Sequence, residues 1–383
     1  MTVRNVNLDL PDEKFAEEDR LESTTRLFVA SQLLLMWWKF RRHKVAMASA
    51  VIVILVYLVA LFAELLAPYS VDTSWSKYTY APPQPLHLFD AGGLSPWVND
   101  YKVKIDPIAM RREFTIDPEK KIPVRLFAQG ESYRLFGLIP SNIHLIGTID
   151  PNTPVFLLGA DRMGRDLLSR FIFGTRISMS LGLIGVFLSL TLGIVLGGIS
   201  GYFGGWLDTL IQRLIEFIRS IPTIPLWMGL AAALPKEWSA EQVYFAITII
   251  LSLVGWTGLA RVIRGRFLSL REEDFVKAAK LDGSSELRVI FRHMLPAFMS
   301  HIIASVTLNI PFMIISETSL SFLGIGLRPP IVSWGTLLQD AQNVKAMSSA
   351  PWLLLPALGV IISVLALNFL GDGLRDAADP YAR

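Results

Sequence analysis

The chain has 383 residues, of which 52% are hydrophobic and only 18% charged, and that balance excludes an ordinary soluble enzyme and points to a bilayer as solvent. A formal net charge of +3 would suit an anionic partner, but the basic residues stand beside apolar runs, not on one polar face, which argues against nucleic acid and for membrane topology. With no cysteine, disulfides, thiolate metal sites and thiol chemistry are excluded.

Residues 1–44 read as a cytoplasmic segment. Its end, SQLLLMWWKFRRHK, sets Trp37, Trp38 and Phe40 beside a basic run, so it forms either a helix lying at the inner interface or a cytoplasmic extension of the first span. A hydrocarbon core of about 30 Å asks for about 20 apolar residues per helix. Six runs meet that length, from Val45 to Ala67, Ile177 to Gly201, Thr209 to Leu234, Val243 to Arg261, Pro296 to Ser316 and Ala350 to Leu370. The first starts too late and runs too long for a cleaved signal peptide, so it is expected to stay as an anchor.

Lys39, Arg41, Arg42 and Lys44 before the first span and Arg261, Arg264, Arg266 and Arg271 after the fourth place those flanks, and with them both termini, in the cytoplasm. Arg162, Arg165, Arg170 and Arg176 fall on the outer side, in a loop long enough for the charge rule to weaken. That loop, 68–176, is too rich in proline for a long helix. Alternation in KIPVRLFAQGESYRLFG, interrupted at Gln129, Gly130 and Glu131, predicts a hairpin there and a small β-containing cap outside the membrane. His87 and His144 lack ligand spacing, and no metal site is expected.

Within the spans, Gly193, Gly197, Gly201 and Gly205 recur every four residues, a stripe for close helix packing or a flexible span end. Pro222 and Pro225 predict a kink in the third span that either lines a pathway or fits the helix to its neighbours. Arg213, Glu216 and Arg219 belong at that span's membrane entrance. Glu317 stands at the outer end of the fifth span, as part of an outer gate or as an interfacial acid paired with Arg328.

The stretch REEDFVKAAKLDGSSELRVIFRHMLP, inside the loop 263–296, predicts two short helices meeting at Gly283. Ser269 and Glu272 can form a capping box for the first, with Phe275, Ala278, Ala279 and Asp282 along one face. The apolar face of the second runs through Leu287, Ile290, Phe291, Met294 and Leu295, and Pro296 opens the fifth span. Such a protrusion suits a groove on another protein, or lies as an amphipathic linker on the inner leaflet.

Ala278, Ala279, Gly283, Leu295 and Pro296 resemble the EAA motif of ABC importer permeases, with Lys277 where the motif has glutamate and His293 where it has isoleucine. LGADRMGRDLLSRFIFGTRISMSLG before the second span, SETSLSFLGIGLRPPIVSWGTLLQDAQ after the fifth and the ending NFLGDGLRDAADP resemble the C-type subunit of the dipeptide/oligopeptide/nickel group, over most of residues 155–383. The resemblance implies an all-α integral membrane fold of the six-span type I importer kind, with five helices in 177–372 and a cytoplasmic tail at 373–383. It implies that Lys277, Ala278, Ala279, Gly283, Leu295 and Pro296 dock on an ATPase, in the cytoplasmic membrane of a bacterium.

No G-x-x-x-x-G-K-[ST] loop occurs, so this chain is expected to bind no cofactor and catalyse nothing, while ATP and magnesium serve partner subunits. The partners implied by the resemblance are a B-type permease, two ABC ATPases, a periplasmic or lipid-anchored solute-binding protein, and membrane lipid. The implied cargo is an oligopeptide or similar small oligomer, with oligosaccharides or glycosides as the alternative. An ion-coupled secondary transporter is the distant one, since neither inverted repeats nor intramembrane carboxylates stand out.

Overall fold

The computed structural model describes residues 32–90, 93–105, 112–148, 150 and 153–378; residues 1–31 and the tail end 379–383 lie outside the description. Helix α1 (Gln32–Arg42) stops at His43, whose Nδ1 accepts from the Ala46 amide at 3.0 Å and so caps α2 (Lys44–Leu61). Met36 and Phe40 of α1 are buried, and Phe40 and Ala46 share a cluster with Ala377 near the far end of the chain. α1 is therefore a separate helix that packs on protein. At Phe62 the backbone leaves helical geometry, which splits the expected first span into α2 and a short α3 (Ala63–Leu66).

The second span begins ten residues earlier than its apolar run, because Asp166 caps α4 (Leu167–Phe203) by accepting from the Ser169 amide at 2.7 Å. At 1.5 Å per residue these 37 residues make a rod of about 55 Å, longer than a bilayer is thick. Two of the arginines expected on the outer side are ion-paired at the start of this rod. Arg170 bonds Asp161, and Arg176 forks onto Glu64 while its Nε reaches the Ala60 carbonyl at 2.8 Å.

The third span is broken outright where the sequence suggested a kink. α5 (Gly205–Ser220) and α6 (Thr223–Ala232) meet at 86° across Ile221 and Pro222. Pro222 is the N-cap of α6 and Pro225 lies in its first turn, where amides have no intrahelical acceptor, so neither proline removes a helical hydrogen bond. Arg213 and Glu216 pair with each other at 2.7 Å on the exposed side of α5.

α7 (Ala240–Leu270) starts from a capping box formed by Ser239 and Gln242 and runs nine residues past the expected end at Arg261. Among the described residues five helices are thus long and apolar enough to cross a membrane, six if α5 and α6 count as one, the others being α9 (Met299–Phe322) and α11 (Leu355–Ala378, entered through a 3-10 turn at Pro351–Leu354).

The main core joins Met179, Leu181 and Val186 of α4, Ile247 and Leu251 of α7, Ile310, Met313 and Ile314 of α9 and Leu367 of α11. Along one side of α4 a Cβ at Gly193 would lie 3.1 Å from the Leu259 side chain, at Gly197 2.5 Å from the Ala260 carbonyl oxygen, and at Gly201 2.6 Å from Phe267 Cβ. α4 and α7 are in backbone contact along this stripe. Gly205, the next in the series, already belongs to α5.

Beyond the opposite end of the bundle from Phe203 stands a four-stranded antiparallel meander, β1 (His87–Asp90), β2 (Gly93–Ile105), β3 (Arg112–Leu135) and β4 (Ile139–Thr148). The stretch expected to fold as a hairpin is a single strand. Gln129 to Glu131 form an irregularity within β3, and the chain reverses at Phe136–Leu138 instead. Gly130 sits under the His144 ring, whose Cδ2 would be 2.6 Å from a Cβ there, so the bulge accommodates a buried side chain and leaves the strand unbroken. His87 stacks on Trp97 at 4.2 Å, and His144 lies between the carbonyls of Ala67 and Glu131. No metal-binding cluster occurs among the described residues.

Candidate functional site

Three assemblies concentrate the polar and glycine-rich sequence. The first is the segment after α7. Helix α8 (Asp274–Leu281) starts at Glu273 without a side-chain cap; Ser269, expected to cap it, is still part of α7. α8 ends in a Schellman pair, with the Gly283 amide donating to the Lys280 carbonyl at 3.0 Å and the Ser284 amide to the Ala279 carbonyl at 3.1 Å. Gly283 has φ +76°, and a Cβ there would meet nothing within 4 Å, so the glycine answers to backbone conformation alone.

The chain then makes a turn at Glu286–Arg288 and a π-helical stretch, Val289–Met294, before Leu295, Pro296 and Ala297 lead into α9. The wider π turn splits the expected apolar face. Val276, Ala279, Val289, Ile290 and Met294 turn inward and share a cluster with Phe267 of α7 and Ile302 of α9. Phe275, Ala278, Leu281, Leu287 and Phe291 turn outward, and Leu281 is 89% exposed. Lys277 is exposed and lies 3.9 Å from Glu272. Lys280 Nζ stands 4.8 Å over the Tyr202 ring and so ties α8 to the end of α4. Nearby, both carboxylate oxygens of Asp208 on α5 accept from Arg264 of α7 at 2.5 Å.

The second assembly centres on Glu317, fully buried in α9. It makes no pair with Arg328, which is exposed. Its Oε1 accepts from Ser321 at 2.8 Å and Ser333 at 2.7 Å, and its Oε2 from Ser178 of α4 at 3.3 Å. Each serine oxygen in turn accepts a backbone amide, from Leu327, Thr336 and Trp334 respectively. The hydroxyls thus relay three amides onto one carboxylate, joining α4, α9 and α10 (Trp334–Asp340). Gly326 and Gly335 crowd against Ser321, whose atoms would lie 2.5 Å and 2.7 Å from a Cβ at either position. This accounts for the spacing of acid, serines and glycines in SETSLSFLGIGLRPPIVSWG.

The third assembly holds the start of α4. Asp161 accepts from the amides of Met163 at 2.8 Å and Arg165 at 2.9 Å, from the Arg165 guanidinium at 2.7 Å, and from Arg170. Gly164, at φ +74°, lies where a Cβ would come 2.1 Å from the Trp75 carbonyl oxygen. Burial pushes the Asp166 carboxyl up to about 6, against the pull of its Ser169 hydrogen bonds, and burial likewise raises Asp340, against the pull of Arg162 and Arg170.

Where α5 breaks into α6, a cleft of about 380 Å³ opens toward α7 and α9. Arg219, Thr223, Thr257, Gly258, Asn309 and Phe312 line it. Thr223 lies between the two prolines singled out in the sequence, while Pro222 and Pro225 themselves are exposed and do not line the cleft. Thr257 and Asn309 give no signal in the sequence, because a single neutral polar residue barely dents the hydropathy of a span.

A broken membrane helix over a polar cleft, with an exposed apolar elbow rooted in two of the same spans, is an arrangement suited to a multi-pass permease. The sequence profile of the binding-protein-dependent transport system inner membrane component family matches residues 193–383, and that of the N-terminal TM domain of oligopeptide transport permease C matches residues 31–83. The oligopeptide transport system permease protein OppC of Haemophilus influenzae is 40% identical over 226 residues, covering 59% of this chain and 70% of its own. The dipeptide transport system permease protein DppC of the same organism is 40% identical over 228 residues, 59% of this chain and 75% of its own. Among solved structures, the inward-facing MetNI methionine ABC transporter aligns with a TM-score of 0.44 and 14% identity, over 57% of this chain and 100% of that one.

The chain belongs to the ABC importer permeases of binding-protein-dependent transport, in the oligopeptide permease C branch. Its sheet, from His87 to Thr148, falls between the two matched stretches.

Proposed function

We propose that this chain is the non-catalytic C-type half of a peptide importer's pathway, paired with a B-type permease and driven by two ABC ATPases that alone bind ATP and magnesium. A solute-binding protein delivers the cargo. Both termini and the elbow around Gly283 face the cytoplasm, by the charge of their flanks. Oligopeptide cargo is supported by the names of the relatives, permeases for oligopeptides and dipeptides.

The observation that carries this reading is the two-faced elbow. Its outward residues Phe275, Leu281, Leu287 and Phe291 form an apolar surface with room for a groove on another protein, while its inward residues are built into the same cluster as α7 and α9. A push on the elbow reaches α7 through Phe267 and α9 through Phe298, whose rings meet edge to face at 5.7 Å. Those two helices form walls of the cleft, so closure of the ATPases would re-aim it by a rigid-body tilt, with the Glu317 assembly holding the other end.

The test is mild-detergent purification of the tagged chain from its host, followed by reconstitution. An ATPase should co-purify, and its turnover should rise with peptide-loaded binding protein. Uptake by vesicles lacking any ATPase overturns the reading. So does labelling of Leu281→Cys from outside intact cells by an impermeant maleimide.

A further inference from the structure

The β3–β4 hairpin ends in an unusual tip. Leu135, Phe136, Gly137, Leu138 and Ile139 are all apolar or glycine, with Phe136 and Gly137 at positive φ (54° and 73°). Turns facing water normally place glycine, asparagine or aspartate there, since a bulky residue at positive φ is strained and an apolar one gains nothing from solvent. Here Leu138 is 80% exposed, with Phe136 and Ile139 also exposed.

The position of the tip supplies the reason. Strand β4 runs beside the chain that leaves α2, with His144 bonded to the Ala67 carbonyl at 2.6 Å and, at the tip, the Phe136 ring packed edge-on against Phe62 at 5.7 Å. Phe62 directly follows α2, whose 18 residues span about 27 Å, close to the thickness of a hydrocarbon core. The hairpin therefore points back toward the membrane and ends level with the last turn of α2. The adjoining turns of α2 also expose apolar side chains, Leu55, Leu58 and Leu61. Just behind the tip come exposed Arg134 and half-buried Tyr133, a cation and an amphipathic aromatic of the kinds found at headgroup level.

We infer that the tip of this hairpin is a membrane anchor, with Phe136, Leu138 and Ile139 seated among the acyl chains of the leaflet nearest the sheet and Arg134 at the lipid phosphates. The sheet is thereby fixed at two points, α2 and the bilayer, and cannot swing freely about Ala67. This holds whichever solute the transporter carries.

This chain has no cysteine, so a single substitution places one thiol in it, the partner subunits being used in cysteine-free form. The complete transporter carrying Leu138→Cys is labelled with bimane and reconstituted in phosphatidylcholine nanodiscs with and without nitroxide-labelled acyl chains. Glu119→Cys, on an exposed part of β3, is the control. Fluorescence at position 138 should fall at least twofold with the nitroxide lipid while position 119 stays unchanged, and an impermeant maleimide should react with the unlabelled 138 thiol at least tenfold more slowly than with that at 119. Equal labelling rates together with no quenching overturn the inference, as does protection at 138 that appears only when the solute-binding protein is added. Ile139→Cys provides the same readout should Leu138→Cys assemble poorly.

Discussion

The Ser333 hydroxyl donates to Glu317 Oε1 at 2.7 Å while accepting the Thr336 amide at 3.2 Å, so one side chain both caps α10 and completes the coordination of a buried acid. Glu317→Leu would strand three hydroxyl donors, each worth about 1–3 kcal/mol when left unmet in a dry interior. The variant should unfold at least ~3 kcal/mol more easily in thermal melts of the detergent-solubilised complex. Glu317→Gln, which retains one acceptor oxygen, should lose less than half as much. Glu317 and Ser333 should also be non-additive in a double-substitution cycle by about 1 kcal/mol or more. Unchanged melting of Glu317→Leu would mean that the cage holds nothing.

How legible this was differs by element. The spans could be read because apolar runs near 20 residues have few other uses, yet their ends were displaced wherever polar groups found partners. Arg170 and Arg176 look like a boundary in one dimension and are interior helix positions once Asp161 and Glu64 are placed beside them. The break in the third span was signalled by Pro222 and Pro225, but the angle was not, since proline restricts its own φ and leaves the direction of the next helix to packing. The spacing of Glu317, Ser321 and Ser333 was visible; that all three meet needed the return of the chain from Leu323 to Ser333. The hairpin was misplaced because Gly130 makes a bulge under His144, and in a one-dimensional pattern a bulge and a turn look alike.

The glycine stripe gives a packing prediction with an internal control. Gly197→Val puts a branched side chain where even a Cβ is 2.5 Å from a backbone oxygen of α7, and no side-chain rotation relieves that. A loss of roughly 2 kcal/mol in complex stability is expected, in the range for overpacked interiors. Gly265→Ala, on the same α7 but with nothing within 4 Å of its Cβ, should be neutral or slightly stabilising. Equal effects from the two would show that α4 and α7 do not touch along this line.

Asp166 supplies a pH prediction. Its folded carboxyl titrates near 6, above the usual aspartate value, so protons bind more tightly to the folded chain. Its stabilising contribution is complete below about pH 4 and is lost as pH rises through 6. Asp166→Asn keeps a helix-capping oxygen but cannot ionise. The stability of the native complex relative to this variant should therefore fall between pH 4 and pH 7 by at most about 3 kcal/mol, and level off above pH 7. A gap that widens with pH would show that the ionised form is the one the fold prefers.

Gly283 separates conformation from space. Because its Cβ position is empty, any loss on substitution must come from φ +76° and the Schellman hydrogen bonds that depend on it. Gly283→Val should then be severe, Gly283→Ala intermediate at about 1 kcal/mol, and Gly283→Asn mildest, since asparagine tolerates the left-handed region. If the elbow carries force, uptake should follow the same order, with Val losing ATP-dependent transport while membrane insertion and assembly with the second permease remain normal. The decisive measurement is ATPase activity beside uptake in proteoliposomes. Hydrolysis that persists without transport in Gly283→Val places the defect in transmission, whereas full uptake by that variant removes the elbow from the mechanism.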